Sequence, residues 1–478
     1  MTTQGSPSEG DWRSQVSARV ADEVDYIQNA FAGTEPRIQI GVATVPNGGL
    51  DYLYSIGYLL VRAEFLRDVV GILGKASGLE DDAREEAEEE ALKKATPLIE
   101  GVAQVPIGGF RLSVPDALDR VDDALEEGIA TPDQVFTVAN GSGGEVGVCP
   151  ATEPQEVYER CGPFPFPPVC PGDRGGDVKI YLGDTGLLEE VYNDPGWLGD
   201  HTWMTGVQLA PTPDGSLPDP DPLGPVLADG TQTILPYEGH GTFVAGVARC
   251  MAPKVEILVA DVFKIAGSAL ESQLVPKLRA ALALDVDMFH LTVAATTRKD
   301  IHPIAFAAWL RRLHQLKGVI CVAAAGNNGS SRRCWPAAFP EVISVGALAT
   351  DWRSRARFSN FGRWVDVYAP GTNLVNAYTE GDYECKVRPY EGTHRRFTGL
   401  AEWSGTSFST PIVTGLIAAR MSRTHESARD AASALLRMAR AQVVPGTGPI
   451  LVPCCGAVPR CGRCCAEHPC ACGTQPDQ

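Results

Sequence analysis

Short apolar runs alternate with helical patterns through most of the chain after residue 177, and this alternation constrains the fold more than any other feature. Strands are predicted at 178–182, 255–260, 288–293, 319–324 and 342–348, and helices at 240–250, 271–284, 303–317 and 407–421. Such alternation is typical of parallel strands joined by covering helices. We therefore predict an α/β fold with a parallel sheet covered by helices on both faces. In such sheets, functional side chains gather at the carboxyl ends of the strands.

Three short stretches place reactive residue types where these elements begin or end. They are Asp-Thr-Gly at 184–186, His-Gly-Thr-Phe-Val-Ala-Gly at 240–246 and Gly-Thr-Ser-Phe-Ser-Thr-Pro at 405–411. Ser407 falls in the first turn of a predicted helix, where unpaired backbone N–H groups favour a neighbouring oxyanion. A serine becomes a nucleophile when an imidazole accepts its proton, and a carboxylate can orient that imidazole. His240 and Asp184 are the candidates for these two roles.

Together, the three motifs and the chain order Asp184, His240, Ser407 resemble the subtilisin-like serine protease (subtilase) family. The segment Ala-Ala-Ala-Gly-Asn at 323–327 is similar to the family segment whose asparagine completes the oxyanion hole. The resemblance implies a serine-type endopeptidase with those three catalytic residues, with Asn327 in the oxyanion hole, and with no metal or cofactor required. The alternative is a non-catalytic subtilase-like module whose groove binds peptides.

The resemblance also implies a substrate-binding wall. Its members are Thr292, Val293, Ala294, Ala295 and Gly326. The family usually has Ser-Leu-Gly-Gly where this chain has 292–295, so two methyl groups are added. We expect them to narrow the pocket for the substrate residue before the scissile bond, because close-packed sites absorb extra volume poorly. His290 stands where the family often has asparagine, and we interpret it, with His302 and His314, as a core or surface residue.

The chain is predicted to have five regions. They are an irregular N-terminal segment at 1–50, a smaller α/β domain at 51–140, a Gly/Pro-rich connector at 141–176, the catalytic domain at 177–445 and a Cys-rich tail at 446–478. The β-α-β-α-β order of the second region resembles the pro-domain that acts as chaperone and inhibitor in many subtilases. On that interpretation the N-terminal domain is an inhibitory partner, and the chain cuts itself between about residues 140 and 176. The alternative is an accessory domain with no inhibitory role.

Composition excludes some partners. The formal charge of −18 argues against nucleic acid, which needs clustered Lys and Arg. No run approaches the roughly 18 uninterrupted apolar residues of a membrane span. The polar start lacks the basic and apolar regions of a secretory signal, which predicts a cytoplasmic location and leaves leaderless export open.

Two regions raise the question of a bound cation. Asp214, Asp219 and Asp221 lie in an acidic, proline-rich loop that either binds calcium or is simply solvated. Seven of the fourteen cysteines lie between Cys454 and Cys472. Cys461 and Cys464 have zinc-ligand spacing but lack a second pair at the usual separation. Zinc binding, disulfides and a reduced, disordered tail all stay open.

Overall fold

The computed structural model describes residues 12–45, 48–138, 152–157, 164–212, 216, 221, 224–263, 265–386 and 390–453. The helices and strands of the N-terminal part, in chain order, are α1 (Ala18–Ala32), β1 (Ile40–Thr44), β2 (Leu50–Arg62), α2 (Leu66–Ala76), α3 (Asp81–Lys94), β3 (Thr96–Ile99), β4 (Val102–Pro106), α4 (Val114–Ala124) and β5 (Ala130–Val138). Those of the C-terminal part are β6 (Lys179–Asp184), α5 (Glu190–Asn193), α6 (Pro195–Asp200), β7 (Val207–Leu209), β8 (Thr233–Ile234), α7 (His240–Met251), β9 (Glu256–Asp261), β10 (Ser268–Leu270), α8 (Glu271–Ala281), β11 (Met288–Leu291), β12 (Val293–Ala294), α9 (Ile304–Leu313), β13 (Ile320–Ala324), β14 (Val342–Leu348), β15 (Val367–Pro370), β16 (Leu374–Glu384), β17 (His394–Trp403), α10 (Thr406–Thr424), α11 (Ala428–Arg440), β18 (Val443–Val444) and β19 (Gly448–Pro449).

The C-terminal part is built on one parallel sheet of seven strands, in the order β15-β14-β13-β11-β6-β9-β7. One face carries an apolar core shared with α7 and α10, to which Phe243 and Leu416 belong. The other face carries a second core shared with α8 and α9, to which Leu274 and Trp309 belong. The predicted parallel sheet with helices on both faces is therefore confirmed.

The N-terminal part forms an antiparallel sheet in which β2 lies between β4 and β5, with β1 also paired to β2. Helices α2 and α4 cover it through buried residues such as Val69 and Leu118. Helix α3 is the solvated helix that its charge pattern predicts, with only Ala87 and Ala91 buried. Because β1 belongs to this sheet, the sheet begins at Ile40, earlier than the predicted boundary at residue 51.

Strand β5 joins the two parts. It pairs antiparallel with β10 on one side, where Val135 lies opposite Leu270. On the other side it pairs with β12, where Thr137 lies opposite Ala294 and Val138 opposite Val293. Helix α1 packs on this junction, because its apolar residues share one buried cluster with Val135 and Leu270. The N-terminal sheet is thus extended by two short strands of the C-terminal part.

The cysteines of the described residues are of two kinds. Cys170 is disulfide-bonded, whereas Cys250, Cys321, Cys334 and Cys385 are buried free thiols. Cys149, Cys161 and the whole Cys-rich tail from Cys454 lie outside the described residues, so the zinc prediction stays a prediction. In the part of the chain that the structure describes, every helix is too short or too polar to cross a bilayer.

Candidate active site

The four residues singled out for catalysis lie where strands end and helices begin. Asp184 is the last residue of β6, and Asn327 follows the end of β13 by three residues. His240 opens α7, and Ser407 is the second residue of α10. All four residues are fully buried in this state of the chain.

Asp184 and His240 form the central contact. The Asp184 Oδ1 atom lies 2.7 Å from Nδ1 of His240 and accepts a second hydrogen bond, also of 2.7 Å, from the backbone N–H of Thr185. The hydroxyl of Thr292 donates to Oδ2. Burial by itself would raise the pKa of Asp184, but the field of His240 and these three hydrogen bonds outweigh it and hold that pKa below its ordinary value. An ionised carboxylate only accepts, so Nδ1 of His240 carries the proton.

Gly241 lets α7 approach β6 closely enough for this contact. A Cβ atom at position 241 would lie 2.3 Å from the carbonyl oxygen of Gly186 and 3.2 Å from the Cβ of Asp184. Gly241 is therefore needed for the backbone packing of α7 against the end of β6. The ring itself is enclosed by aromatic side chains, with centroids 5.5 Å away for Trp403 and 5.2 Å away for Phe408.

Ser407, the third residue of the predicted triad, lies near the other two but is not hydrogen-bonded to either of them. Among the described residues, neither Nε2 of His240 nor Oγ of Ser407 has a hydrogen-bond partner, although both atoms are buried. Phe408, the residue after Ser407, packs on the His240 ring. These two atoms are the ones between which a proton would pass in hydrolysis.

Asn327 is oriented by the start of α10. Its Oδ1 atom accepts hydrogen bonds from the backbone N–H of Thr406 at 2.8 Å and from the Thr406 hydroxyl at 2.9 Å. The amide therefore presents its NH2 group as a donor in another direction. Gly326 has a φ of +95°, and a Cβ there would lie 2.6 Å from Nδ2 of Asn360. Asn360 donates to the carbonyl of Ala325 and so holds the same loop.

The residues of the predicted substrate wall make different contacts in the structure. Val293 and Ala294 form β12, which pairs with β5. Ala295 exchanges two backbone hydrogen bonds of 2.9 Å with Trp335 instead. Thr292 contacts Asp184 through its hydroxyl, a positioning role that the sequence interpretation missed, because only the fold brings residues 108 positions apart together.

His290 and Asp221 are buried polar residues near this site. Nδ1 of His290 lies 2.8 Å from the hydroxyl of Thr414, and burial lowers its pKa to about 3, so the ring is neutral. Of the two alternatives left open for His290, core or surface, the structure shows the core. Oδ2 of Asp221 accepts hydrogen bonds from the backbone N–H of Gly239 at 2.8 Å and from Thr185 at 3.1 Å. Burial raises the pKa of Asp221 well above its ordinary value.

The calcium prediction for the acidic loop remains a prediction. Asp214 and Asp219 lie outside the described residues. In the described ranges, no three or more His, Cys, Asp or Glu side chains are grouped so that they could hold a metal ion.

Comparison with known proteins identifies similar chains. Residues 220–448 match the sequence model of the Subtilase family, a range that includes His240, Asn327 and Ser407 but begins after Asp184. A thermophilic serine proteinase of Bacillus sp. (strain AK1) is 31% identical over 247 residues, which are 48% of this chain and 55% of that protein. Subtilisin DY of Bacillus licheniformis is 26% identical over 269 residues, which are 53% of this chain and 79% of that protein. The match thus spans about half the length of the first relative and about four fifths of the second.

Among solved structures, fervidolysin from Fervidobacterium pennivorans, described as a keratinolytic enzyme related to subtilisin, aligns with 85% of this chain and 61% of its own, at 17% identity and a TM-score of 0.49.

Proposed function

We propose that the chain is a subtilase-type serine endopeptidase that hydrolyses peptide bonds through Asp184, His240 and Ser407, because residues 220–448 match the sequence model of the Subtilase family. The observation that carries the proposal is the buried hydrogen bond between Asp184 Oδ1 and His240 Nδ1 at 2.7 Å, beside a serine in the first turn of a helix. An imidazole held in this way has its lone pair on Nε2, which is the atom a general base needs.

In the proposed reaction, Nε2 of His240 takes the hydroxyl proton of Ser407 while Oγ attacks the substrate carbonyl. Asp184 stabilises the imidazolium that forms. The amide NH2 of Asn327 and the backbone N–H of Ser407 donate to the oxyanion. The imidazolium then gives its proton to the leaving amine, and water repeats the sequence on the acyl-enzyme. Catalytic hydrogen bonds are often long before substrate binds, so we expect the Ser407–His240 bond to form in the substrate complex.

We further propose that the N-terminal part is an inhibitor of this site. All nine residues of β5 are buried, and the strand lies between β10 and β12. This pairing supports the proposal that β5 takes the place of a peptide strand that would bind there. Polar contacts fix it there: Asp133 accepts hydrogen bonds from the backbone N–H of Ser272 at 3.0 Å and from its hydroxyl at 2.6 Å. Arg298 pairs with Asp119 and Asp122 of α4 at the edge of the contact.

Strand β5 pairs with β12 up to Val138. The chain is described again at Thr152, which contacts β17, the strand that precedes Ser407. There the indole N–H of Trp403 donates to the carbonyl of Thr152 at 2.6 Å. Gln155 exchanges backbone hydrogen bonds of 2.8 and 2.9 Å with Glu402 of β17. We therefore narrow the proposed self-cleavage interval from 140–176 to 140–151.

The test uses the full-length chain, its Ser407→Ala variant and a matched Ser409→Ala control. Ser409 lies one half-turn further along the same helix, and its hydroxyl donates to the carbonyl of Thr406 at 3.0 Å. Each protein is examined by intact mass, by labelling with a fluorophosphonate probe and by hydrolysis of a peptide library. We expect the wild type and Ser409→Ala to be labelled and cut once within 140–151, and Ser407→Ala to be neither.

The expected losses differ in size. Ser407→Ala should lower turnover by on the order of 10⁶-fold, as in subtilisin, with His240→Ala nearly as severe and Asp184→Asn less so. Asn327→Ala should cost about 100- to 1,000-fold, the loss known for the corresponding donor of subtilisin. Wild-type turnover in purified Ser407→Ala would refute the proposal. Peptide binding without labelling or cleavage would favour the non-catalytic module. An uncut chain with full activity would refute only the inhibitor role.

A further inference from the structure

A cavity of about 390 Å³ lies away from the catalytic residues, between α5, α6 and the β16–β17 hairpin. Four carboxylates line it: Glu190, Asp194, Asp200 and Glu380. Two indole rings, those of Trp197 and Trp203, line it as well. We call this cavity the acidic–aromatic pocket. Among its described lining residues there is no Lys or Arg, and the ring nitrogens of the lining His201 both contact carbonyl oxygens rather than these carboxylates.

Hydrogen bonds within the protein use only part of the accepting capacity of these carboxylates. Oε1 of Glu190 accepts a hydrogen bond of 3.3 Å from the hydroxyl of Thr379, while Oε2 is buried and has no partner among the described residues. Asp194 uses Oδ1 to cap α6 through the backbone N–H groups of Gly196 and Trp197. Like charges gathered around one cavity repel each other, and a positive charge placed between them relieves that repulsion.

The aromatic lining favours an organic cation. Trp197 is buried and stacks on His201 with ring centroids 4.0 Å apart, and Trp203 meets the same imidazole edge-on at 5.3 Å. Ring faces next to carboxylates attract ammonium and guanidinium groups. The described carboxylates are not grouped so that they could hold a metal ion. The chemistry therefore selects a cationic side chain.

One further polar group indicates that the cation is carried on a peptide. Nε1 of Trp197 is buried and has no hydrogen-bond partner among the described residues. It only donates, so its natural partner is a carbonyl oxygen. The two ring nitrogens of His201 are already engaged, each 2.8 Å from a carbonyl oxygen, those of Trp197 and Gly399. The pocket thus offers carboxylates for a positive charge and one N–H group for a carbonyl.

We propose that the acidic–aromatic pocket binds a peptide segment that carries Lys or Arg. The basic side chain lies among the carboxylates and against the indole rings, and a peptide carbonyl of the segment accepts from Trp197 Nε1. The pocket is on β17 at Thr398 and Leu400, and the same strand continues to Trp403 beside His240. This binding does not depend on hydrolysis, and it is measured on the uncleavable Ser407→Ala chain.

The probe is an acetylated and amidated Gly-Lys-Lys-Gly peptide, compared with a matched peptide in which norleucine replaces both lysines. Tryptophan fluorescence and calorimetry report binding to the full Ser407→Ala chain. The test variant adds Glu190→Gln and Glu380→Gln. The control adds Glu85→Gln and Glu89→Gln on α3, which changes the net charge equally at two exposed positions of the N-terminal part.

We expect saturable binding of the lysine peptide, about tenfold weaker in the Glu190/Glu380 variant and unchanged in the control. Raising the salt concentration from about 0.05 to 0.5 M should weaken it further, since the partners are charged. Three results would overturn the proposal: no binding of the lysine peptide, equal binding of the norleucine peptide, or equal affinity in the test and control variants. If the test variant does not fold, salt-independent binding by the parent chain overturns it.

Discussion

Gly241→Ala should damage catalysis by adding a single methyl group to the backbone interface behind His240. In the structure that methyl carbon would lie 2.3 Å from the carbonyl oxygen of Gly186, which belongs to the backbone and cannot rotate away. To reach an ordinary non-bonded distance, α7 and the end of β6 must separate by about 1 Å. The 2.7 Å bond between His240 and Asp184 spans the same interface. It would lengthen beyond about 3.5 Å and cease to be a hydrogen bond.

The magnitude follows from these distances. A misplacement of about 1 Å in a catalytic constellation costs on the order of 100-fold in kcat/KM. The extra volume in a packed interface should also destabilise the fold by about 1–3 kcal/mol. Gly71→Ala is the matched control, because Gly71 lies inside α2 and a Cβ there has no atom within 4 Å. That change should leave activity unaltered and stabilise the helix by up to about 1 kcal/mol.

The assay measures peptide hydrolysis, self-cleavage by intact mass and thermal unfolding for both variants. A Gly241→Ala protein that keeps wild-type kcat/KM would refute the argument, because either the helix absorbs the methyl group or the Asp184–His240 contact does not matter. Equal destabilisation by both substitutions would show that the effect belongs to glycine in general.

Two further predictions concern specificity and pH. Ala294 and Ala295 should make small and medium apolar residues better than Phe or Tyr before the scissile bond, by roughly 10- to 200-fold. Ala294→Gly should shift a profiled peptide library toward larger residues, and a preference of the unmodified enzyme for Phe or Tyr would contradict the narrowed pocket. Burial raises the pKa of Asp133 from 3.8 to about 6, against hydrogen bonds from Ser272 and Gln104 that lower it. Asp133 holds its proton more tightly when the N-terminal piece is bound to the catalytic piece than when the two are apart. The two cleaved pieces should therefore co-elute most strongly near pH 4 and separate as the pH rises through about 6. Asp133→Asn should flatten this dependence, and identical pH profiles for the two proteins would exclude Asp133 as its cause.

The local sequence pattern was sufficient to identify the individual residues of the candidate site. Asp184 and Asn327 follow apolar runs, and parallel strands bring their carboxyl ends to one edge, so their proximity follows from the alternation of elements. The predicted helices at 240–250 and 407–421 also agree closely with α7 and α10, since each depends on neighbours within a few residues. The solvated face of α3 follows directly from its charge spacing.

The long-range pairings were not visible. The β-α-β-α-β order predicted for 51–140 ends in a strand, yet the partners of that strand, β10 and β12, lie more than 120 residues further along the chain. Backbone pairing of this kind depends on N–H and C=O groups that nearly every residue has. The side chains of β5 therefore do not indicate which strands it pairs with. The same applies to the pairing of Gln155 with Glu402. It also applies to the hydrogen bond from the Thr292 hydroxyl to Asp184, because only the parallel pairing of β11 with β6 brings these two residues together.

The proposed occupation of the peptide groove by β5, between β10 and β12, has a consequence for how any outside peptide competes for that groove. While the chain is whole, this strand is tethered to its own binding site, so its effective concentration there is on the order of millimolar or more. A free peptide of ordinary affinity must exceed that concentration before it displaces the strand. Once the backbone is cut, the tether is gone and the strand's occupancy depends on dilution. The same contacts would then hold the site shut in a concentrated solution and release it in a dilute one, without any change in their strength.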